Sequence, residues 1–237
     1  MNKLGVVAKR LNPAQLGRRD WLALSVGAVV AVGLLTGLTA IKHARVVPLK
    51  PTATALTTAW LPDTVKRWDK QIVEMSQKYN IDPDFLAIIM TLESGGYAKA
   101  QSEAGAQGLM QVTPPTAKDI ADRYLKEPTT NYDLTDPRTN VEFGAAYLAL
   151  LRNEFGERVQ GPSWNATVEL VAAGYNGGPG AANRLYKGIG LTDTQTVVYS
   201  RDAFNMWRER HAKSSPTYER WLERGGSRLI ELAQSGQ

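Results

Sequence analysis

A chain of 237 residues with 43% hydrophobic content is long enough to bury one sizeable core. The absence of cysteine excludes a disulfide framework, a thiol nucleophile and a cysteine-ligated metal, and the only histidines, His43 and His211, have no companion at zinc-ligand spacing. Of 28 basic and 23 acidic residues the first 41 positions take five (Lys3, Lys9, Arg10, Arg18, Arg19) and one (Asp20), leaving 23 and 22, so the net +5 belongs to the N-terminus and indicates no nucleic-acid-binding face.

In chain order, residues 1–20 form a basic segment. Trp21 to Ile41 then carries no charge and is rich in Val, Leu, Ala and Gly. At about 1.5 Å rise per residue it suffices to cross a ~30 Å hydrocarbon core. It reads as a transmembrane anchor and not as a cleaved signal peptide: the preceding region is long, the stretch exceeds the usual apolar length of about 7 to 15 residues, and Leu38 spoils the small-residue spacing before Ala40. The basic residues before the span outnumber Lys42, Arg45 and Lys50 after it. That bias places the N-terminus in the cytoplasm and residues 42–237 outside. Residues 42–61, Pro- and Thr-rich between Pro48 and Ala59, are expected to form an extended linker.

Helix signals dominate thereafter. Asp63 is expected to cap a helix running to Tyr79, and Asp82 with Pro83 in the first turn opens a helix that reaches Glu93. Thr113 before Pro114 and Pro115 opens a third, to about Leu125, and Asp136 before Pro137 a fourth, to Phe155. Further helices are expected over about 166–175, 180–187 and 196–210. A last one, from Pro216 to Gln234, should break at Gly225 and Gly226. The fold class is mostly α, with one domain over 62–211 and a helical tail over 212–237.

Glu93 draws attention because Ile89 and Phe85, four and eight residues back, put it on an apolar stripe, although carboxylates at helix C-termini are disfavoured by the macrodipole. Burial there would raise its pKa, which suits a general acid. Gly95 and Gly96 turn the chain directly after it and leave its carboxyl facing open space. Gly105 to Gln111 forms a second glycine-rich turn, whose Gly105 and Gly108 backbone groups are expected to bind polar groups of a ligand. Gly174, Tyr175, Asn176, Gly177, Gly178 form a third.

A helix-end Glu followed by Ser94, Gly95, Gly96, a glycine-rich turn ending in Met110 and Gln111, and the Tyr175-Asn176 turn resemble the three signature blocks of the lytic transglycosylase SLT domain. These are goose-lysozyme-like enzymes that cut peptidoglycan. The resemblance spans about residues 62 to 205. It implies a lysozyme-like fold with a short β-hairpin allowed near 99–106, Glu93 as catalytic acid, and a substrate-binding floor of Ser102, Gln111, Tyr175, Asn176 and Tyr199, with the Tyr175 hydroxyl in reach of Glu93. No metal or organic cofactor is implied. Partners are peptidoglycan strands, the inner membrane and, as a candidate, a secretion, conjugation or pilus apparatus; nucleic acid is not among them.

The chain departs from the family in three ways. Gly174 and Gly177 stand where alanines are typical, read as tolerable losses of a methyl group. Gln195 replaces the Glu of a Glu-Thr pair two residues before a Tyr, and Thr113 stands where several members carry Met. Glu103, Glu142 and Glu169 belong to no signature block. One carboxylate favours attack by the sugar's own C6 hydroxyl, giving 1,6-anhydromuramyl ends, over the usual two-carboxylate arrangement. The alternatives are a muramidase of the same fold and a non-catalytic peptidoglycan-binding scaffold.

Overall fold

The computed structural model describes residues 53–125, 132–156 and 164–236. Their helices are α1 (Asp63–Lys66), α2 (Asp69–Tyr79), α3 (Pro83–Ser94), α4 (Pro114–Ile120), α5 (Pro137–Gly156), α6 (Trp164–Tyr186), α7 (Thr194–Glu209), α8 (Pro216–Trp221) and α9 (Ser227–Ser235). Wide π-type turns, Ala121–Leu125 and Leu222–Gly226, extend α4 and α8. The apolar span 21–41 and the basic segment before it lie outside the described residues. Among the described residues no helix is long and apolar enough to cross a membrane.

Helix α3 is the axis of the molecule. All twelve of its residues are buried, as expected of a helix that is apolar around its circumference. It packs against α1, α2, α7 and α9, while α5, α6 and α7 pack in sequence beside it. The Asp82 carboxylate accepts from Asp84 N at 3.0 Å and starts α3. Thr113 and Asp136 cap α4 and α5 in the same way.

Several expectations change. Asp63 is the first helical residue and not the cap; Pro62 holds that position without a side-chain hydrogen bond, and the chain breaks at Arg67 and Trp68 before α2 begins. The linker is no free tether over its last residues. Thr57 N and Thr58 N donate to Asp84 Oδ1 at 2.8 and 3.1 Å, Trp60 Nε1 donates to Glu209 O at 3.0 Å, and Thr58, Trp60 and Leu61 are buried. In place of a hairpin near 99–106 there are two isolated antiparallel bridges, Gln101 with Gln107 and Gln107 with Val112; no strand occurs among the described residues. The two helices expected on either side of the Gly177-Gly178 turn are both present and are described together as α6; Gly178, at φ 79° and ψ 170° ahead of Pro179, leaves helical geometry and separates them. Residues 212–236 share the main core through Tyr218, Trp221 and Leu229.

Candidate active site

Glu93 occupies the last turn of α3 and is 2% exposed. Its surroundings are set by how α3 ends. Gly95 adopts φ 59° and Gly96 φ 84°, and Gly95 N closes the helix on Thr91 O at 3.0 Å. A side chain at Gly96 would meet Thr64 O at 2.0 Å, so glycine is required there by backbone approach as well as by φ. Ser94 Oγ donates to Leu109 O at 2.7 Å and accepts from Gly96 N at 3.2 Å, fastening the turn to the second glycine-rich segment. From the other side α9 closes over the same turn, with Leu229 and Ile230 against Gly95 and Ala233 O accepting from Arg67 Nη2 at 2.7 Å.

Tyr199, on α7, donates its hydroxyl to Glu93 Oε1 at 2.6 Å. Glu93 Oε2 is buried without a hydrogen-bond partner. Burial pushes the Glu93 carboxyl well above the usual carboxylate range, and the Tyr199 hydrogen bond opposes that rise without overcoming it. The Tyr199 phenol is raised in turn, first by burial and then by Glu93, so it stays a neutral donor. Burial therefore favours the neutral form of Glu93, with Oε1 held by Tyr199 and Oε2 without a partner. Leaving a buried polar atom unpaired costs about 1–3 kcal/mol, and such costs concentrate at functional sites.

Tyr175 lies in the same pocket of charge, its pKa raised by burial and then by Glu93. Its hydroxyl does not bond Glu93, however: it donates to Met110 O at 2.7 Å. The expected partnership is made by Tyr199, because α7 and not α6 places a phenol opposite the last turn of α3. Tyr175 instead ties α6 to the Gly105–Gln111 segment, beside Tyr147, whose ring centroid is 5.4 Å away.

The glycine-rich segment is internally satisfied. Gly108 N donates to Ala100 O at 2.8 Å and Gly105 N to Ser102 O at 3.0 Å, so these amides are not the free ligand-binding groups the sequence suggests. Gln111, in the left-handed region at φ 47°, donates Nε2 to Ala100 O and Gly108 O at 3.2 and 3.0 Å. Ser102 Oγ accepts from Ala106 N at 3.0 Å. Gln111 and Ser102 therefore shape the loop beside Glu93. Asn140 on α5, which sequence reasoning missed, anchors it: Oδ1 accepts from Met110 N at 2.7 Å, and Nδ2 donates to Gln107 O at 2.7 Å and Leu134 O at 2.9 Å. A buried Asn amid the apolar run of α5 was the available signal.

Asn176 Oδ1 accepts from Thr196 Oγ1 at 3.0 Å, joining the bend of α6 to the first turn of α7. Asp193, also missed, caps α7 by accepting from Thr196 N at 2.7 Å. A Cβ at Gly174 would come closest to the movable end of Leu151, at 2.8 Å, so a methyl group there is tolerable, as the sequence suggests, whereas one at Gly177 would meet Ala181 Cβ and Thr196 Cγ2 at 2.8 Å and is not a neutral change. Gln195 is exposed on the first turn of α7.

Of the other carboxylates, Glu142 is paired with Lys78 and accepts from the Tyr79 hydroxyl at 2.8 Å, which uses it to join α5 to α2. Glu103 is exposed and Glu169 half-buried. Among the described residues no group of three or more His, Asp or Glu is placed to hold a metal ion.

The sequence profile of the Transglycosylase SLT domain matches residues 70–196, slightly more than half of the chain. Over 131 residues the chain is 35% identical to membrane-bound lytic murein transglycosylase C of Haemophilus influenzae, covering 54% of this chain and 35% of that protein. It is 37% identical over 114 residues to the protein of the same name from Serratia proteamaculans, covering 47% and 31%. The chain thus spans about a third of the length of these relatives. Among solved structures, an inactive mutant of lytic transglycosylase Slt from Pseudomonas aeruginosa superposes on 62% of this chain and 25% of that one, with a TM-score of 0.47 and 23% identity. The 70 kDa soluble lytic transglycosylase of Escherichia coli superposes on 64% and 28%, with a TM-score of 0.42 and 24% identity. The profile match takes in Glu93, all three glycine-rich turns, Asn176 and Thr196, and by it the chain belongs to the Transglycosylase SLT domain family.

Proposed function

We propose that this chain is a lytic transglycosylase that cleaves the β-1,4 bond between N-acetylmuramic acid and N-acetylglucosamine in peptidoglycan. The observation that carries the reading is Glu93: a buried carboxyl, raised well above the usual range, with Oε1 held by Tyr199 and Oε2 without a partner. In this scheme Glu93 Oε2 gives its proton to the glycosidic oxygen as the bond from muramyl C1 breaks. The carboxylate so formed then takes the proton of the same sugar's C6 hydroxyl while O6 bonds to C1. Glu93 ends protonated, no water is consumed, and the product is a 1,6-anhydromuramyl end. The Tyr199 hydroxyl steadies the carboxylate between the two proton transfers. The influences on Glu93 are its burial and Tyr199, with no ionised neighbour among them; this favours the intramolecular route over one in which a second carboxylate activates water.

Ser102, Gln111, Tyr175 and Asn176 form the floor on which the strand lies, with Tyr199 at the reacting bond. The uncharged span 21–41 anchors the enzyme in the inner membrane with its domain in the periplasm, where it opens the wall for an envelope-spanning machine.

Digestion of purified sacculi followed by mass analysis tests the chemistry. Every muramyl terminus released is expected in the anhydro form, about 18 Da lighter than a hydrolytic end and inert to borohydride. Reducible muramic acid would replace this mechanism with that of a muramidase, and absence of any release would leave a binding scaffold.

A further inference from the structure

A groove of about 490 Å³ runs between the second half of α6 and the start of α7, within the volume range of small-ligand sites. Its walls include Asn176, Gly177, Gly180, Arg184, Asp193 and Thr196. It adjoins the acid site through both helices: Asn176 follows Tyr175, and Thr196 lies one turn before Tyr199, the donor to Glu93. The bend at Gly178 opens it, and nothing lies within 4 Å of where a Cβ at Gly180 would stand, so the floor there is bare backbone.

The chemistry of the lining is uneven. Arg184 Nε donates to Gly190 O at 3.1 Å, which fixes the guanidinium against the 188–190 loop; among the described residues no carboxylate pairs with it. Asp193, the acidic residue of the lining, is committed to Thr196, with Oδ2 at 2.7 Å from both Thr196 N and Thr196 Oγ1. Those hydrogen bonds hold its carboxyl below the ordinary range. Asn176 lies 3.0 Å from Thr196 Oγ1, whose single proton also faces Asp193 Oδ2, so its amide is tied up with Thr196 and offers no donor set aside for a ligand. A planar guanidinium over a bare floor favours an anionic acceptor, above all a carboxylate, over the neutral hydroxyls of a sugar.

We propose that this groove binds a carboxylate carried by the muramyl residue of the strand, with Arg184 as its cation. The proposal rests on the transglycosylase reading and adds a specificity determinant to it. N-acetylglucosamine has no carboxylate. A muramyl residue offers one on its lactyl group when unsubstituted, or on its peptide when acylated.

The full chain is tested on three substrates: peptide-bearing strands, strands stripped of peptide by an amidase so that the lactyl carboxylate is free, and peptide-bearing strands whose carboxylates have been converted to amides. The wild type is expected to show a KM about 10-fold lower on carboxylate-bearing than on amidated strands, a preference that shrinks as salt is added. Arg184→Ala loses the preference, Arg184→Lys keeps part of it, and Arg184→Glu inverts it; thermal melting of each variant separates this from unfolding. Preference for the peptide-bearing strand alone assigns the peptide carboxylate, and preference for the stripped strand alone assigns the lactyl group. Equal treatment of all three substrates by the wild type, or a preference that survives Arg184→Glu, overturns the proposal. Sedimentation of Glu93→Gln protein with the same strands reads the groove without turnover, so failure of catalysis and failure of the groove are told apart.

Discussion

In the proposed scheme Glu93 serves as both acid and base, and its environment makes both roles testable. Glu93→Gln keeps the size and removes the transferable proton, so turnover of sacculi should fall by about 10²- to 10⁴-fold or more, while the same change at Glu103, Glu142 or Glu169 leaves turnover near the wild-type rate. Stability should move the other way. The Glu93 carboxyl is raised above its unfolded value of 4.5, so above about pH 4.5 the unfolded chain ionises while the folded chain stays neutral, and stability is lost as pH rises through the folded pKa. Gln does not titrate. Thermal melts should show Glu93→Gln gaining on the wild type from pH 4.5 upward, with no gain at pH 4; an equal gap at every pH would mean that folding leaves the titration of the carboxyl unchanged. Tyr199→Phe removes the one interaction that lowers the Glu93 pKa. The alkaline limb of kcat/KM should then move to higher pH while kcat falls about 10-fold or more. Tyr175→Phe, which severs a bond to Met110 O instead, should leave that limb in place.

Among the elements, the loop from Gly105 to Gln111 depends on α5 for its position. Asn140→Ala would strip buried partners from Met110 N, Gln107 O and Leu134 O. The expected loss is about 3 kcal/mol, read as a thermal midpoint lower by about 5–10 °C. An unaltered midpoint would show that the loop holds itself. Helix α9 has a comparable role at the other side of Glu93. Leu229 is buried against Gly95, and Leu229→Ala should cost about 3 kcal/mol, although it lies outside the matched segment 70–196. Differential hydrogen exchange should locate the loosening at residues 94–97 as well as in α9.

For the whole molecule, the strap at Thr57 to Leu61 carries the chain onto the first turn of the Glu93 helix through Asp84. Under the proposed topology, a reporter that requires the periplasm is active when fused after Gln237, and the full-length chain stays in the membrane fraction. A soluble form beginning near Ile41 would instead show a cleaved leader.

Sequence by itself determined the helices whose signals are local. The caps at Asp82, Thr113 and Asp136, the prolines that follow them and the glycines that end α3 each act within one turn, so composition and spacing suffice to read them. It also brought out Glu93, whose apolar stripe foretold its burial, while its assignment as the acid came from the resemblance to the SLT signature blocks. Only the tertiary structure decided which phenol reaches that acid, since Tyr175 and Tyr199 sit equally well on their own helices and the choice depends on how α6 and α7 cross α3. The same holds for Asn140 and the glycine at 177, whose demands come from Met110 and from Thr196 and Ala181 and appear only when the core closes.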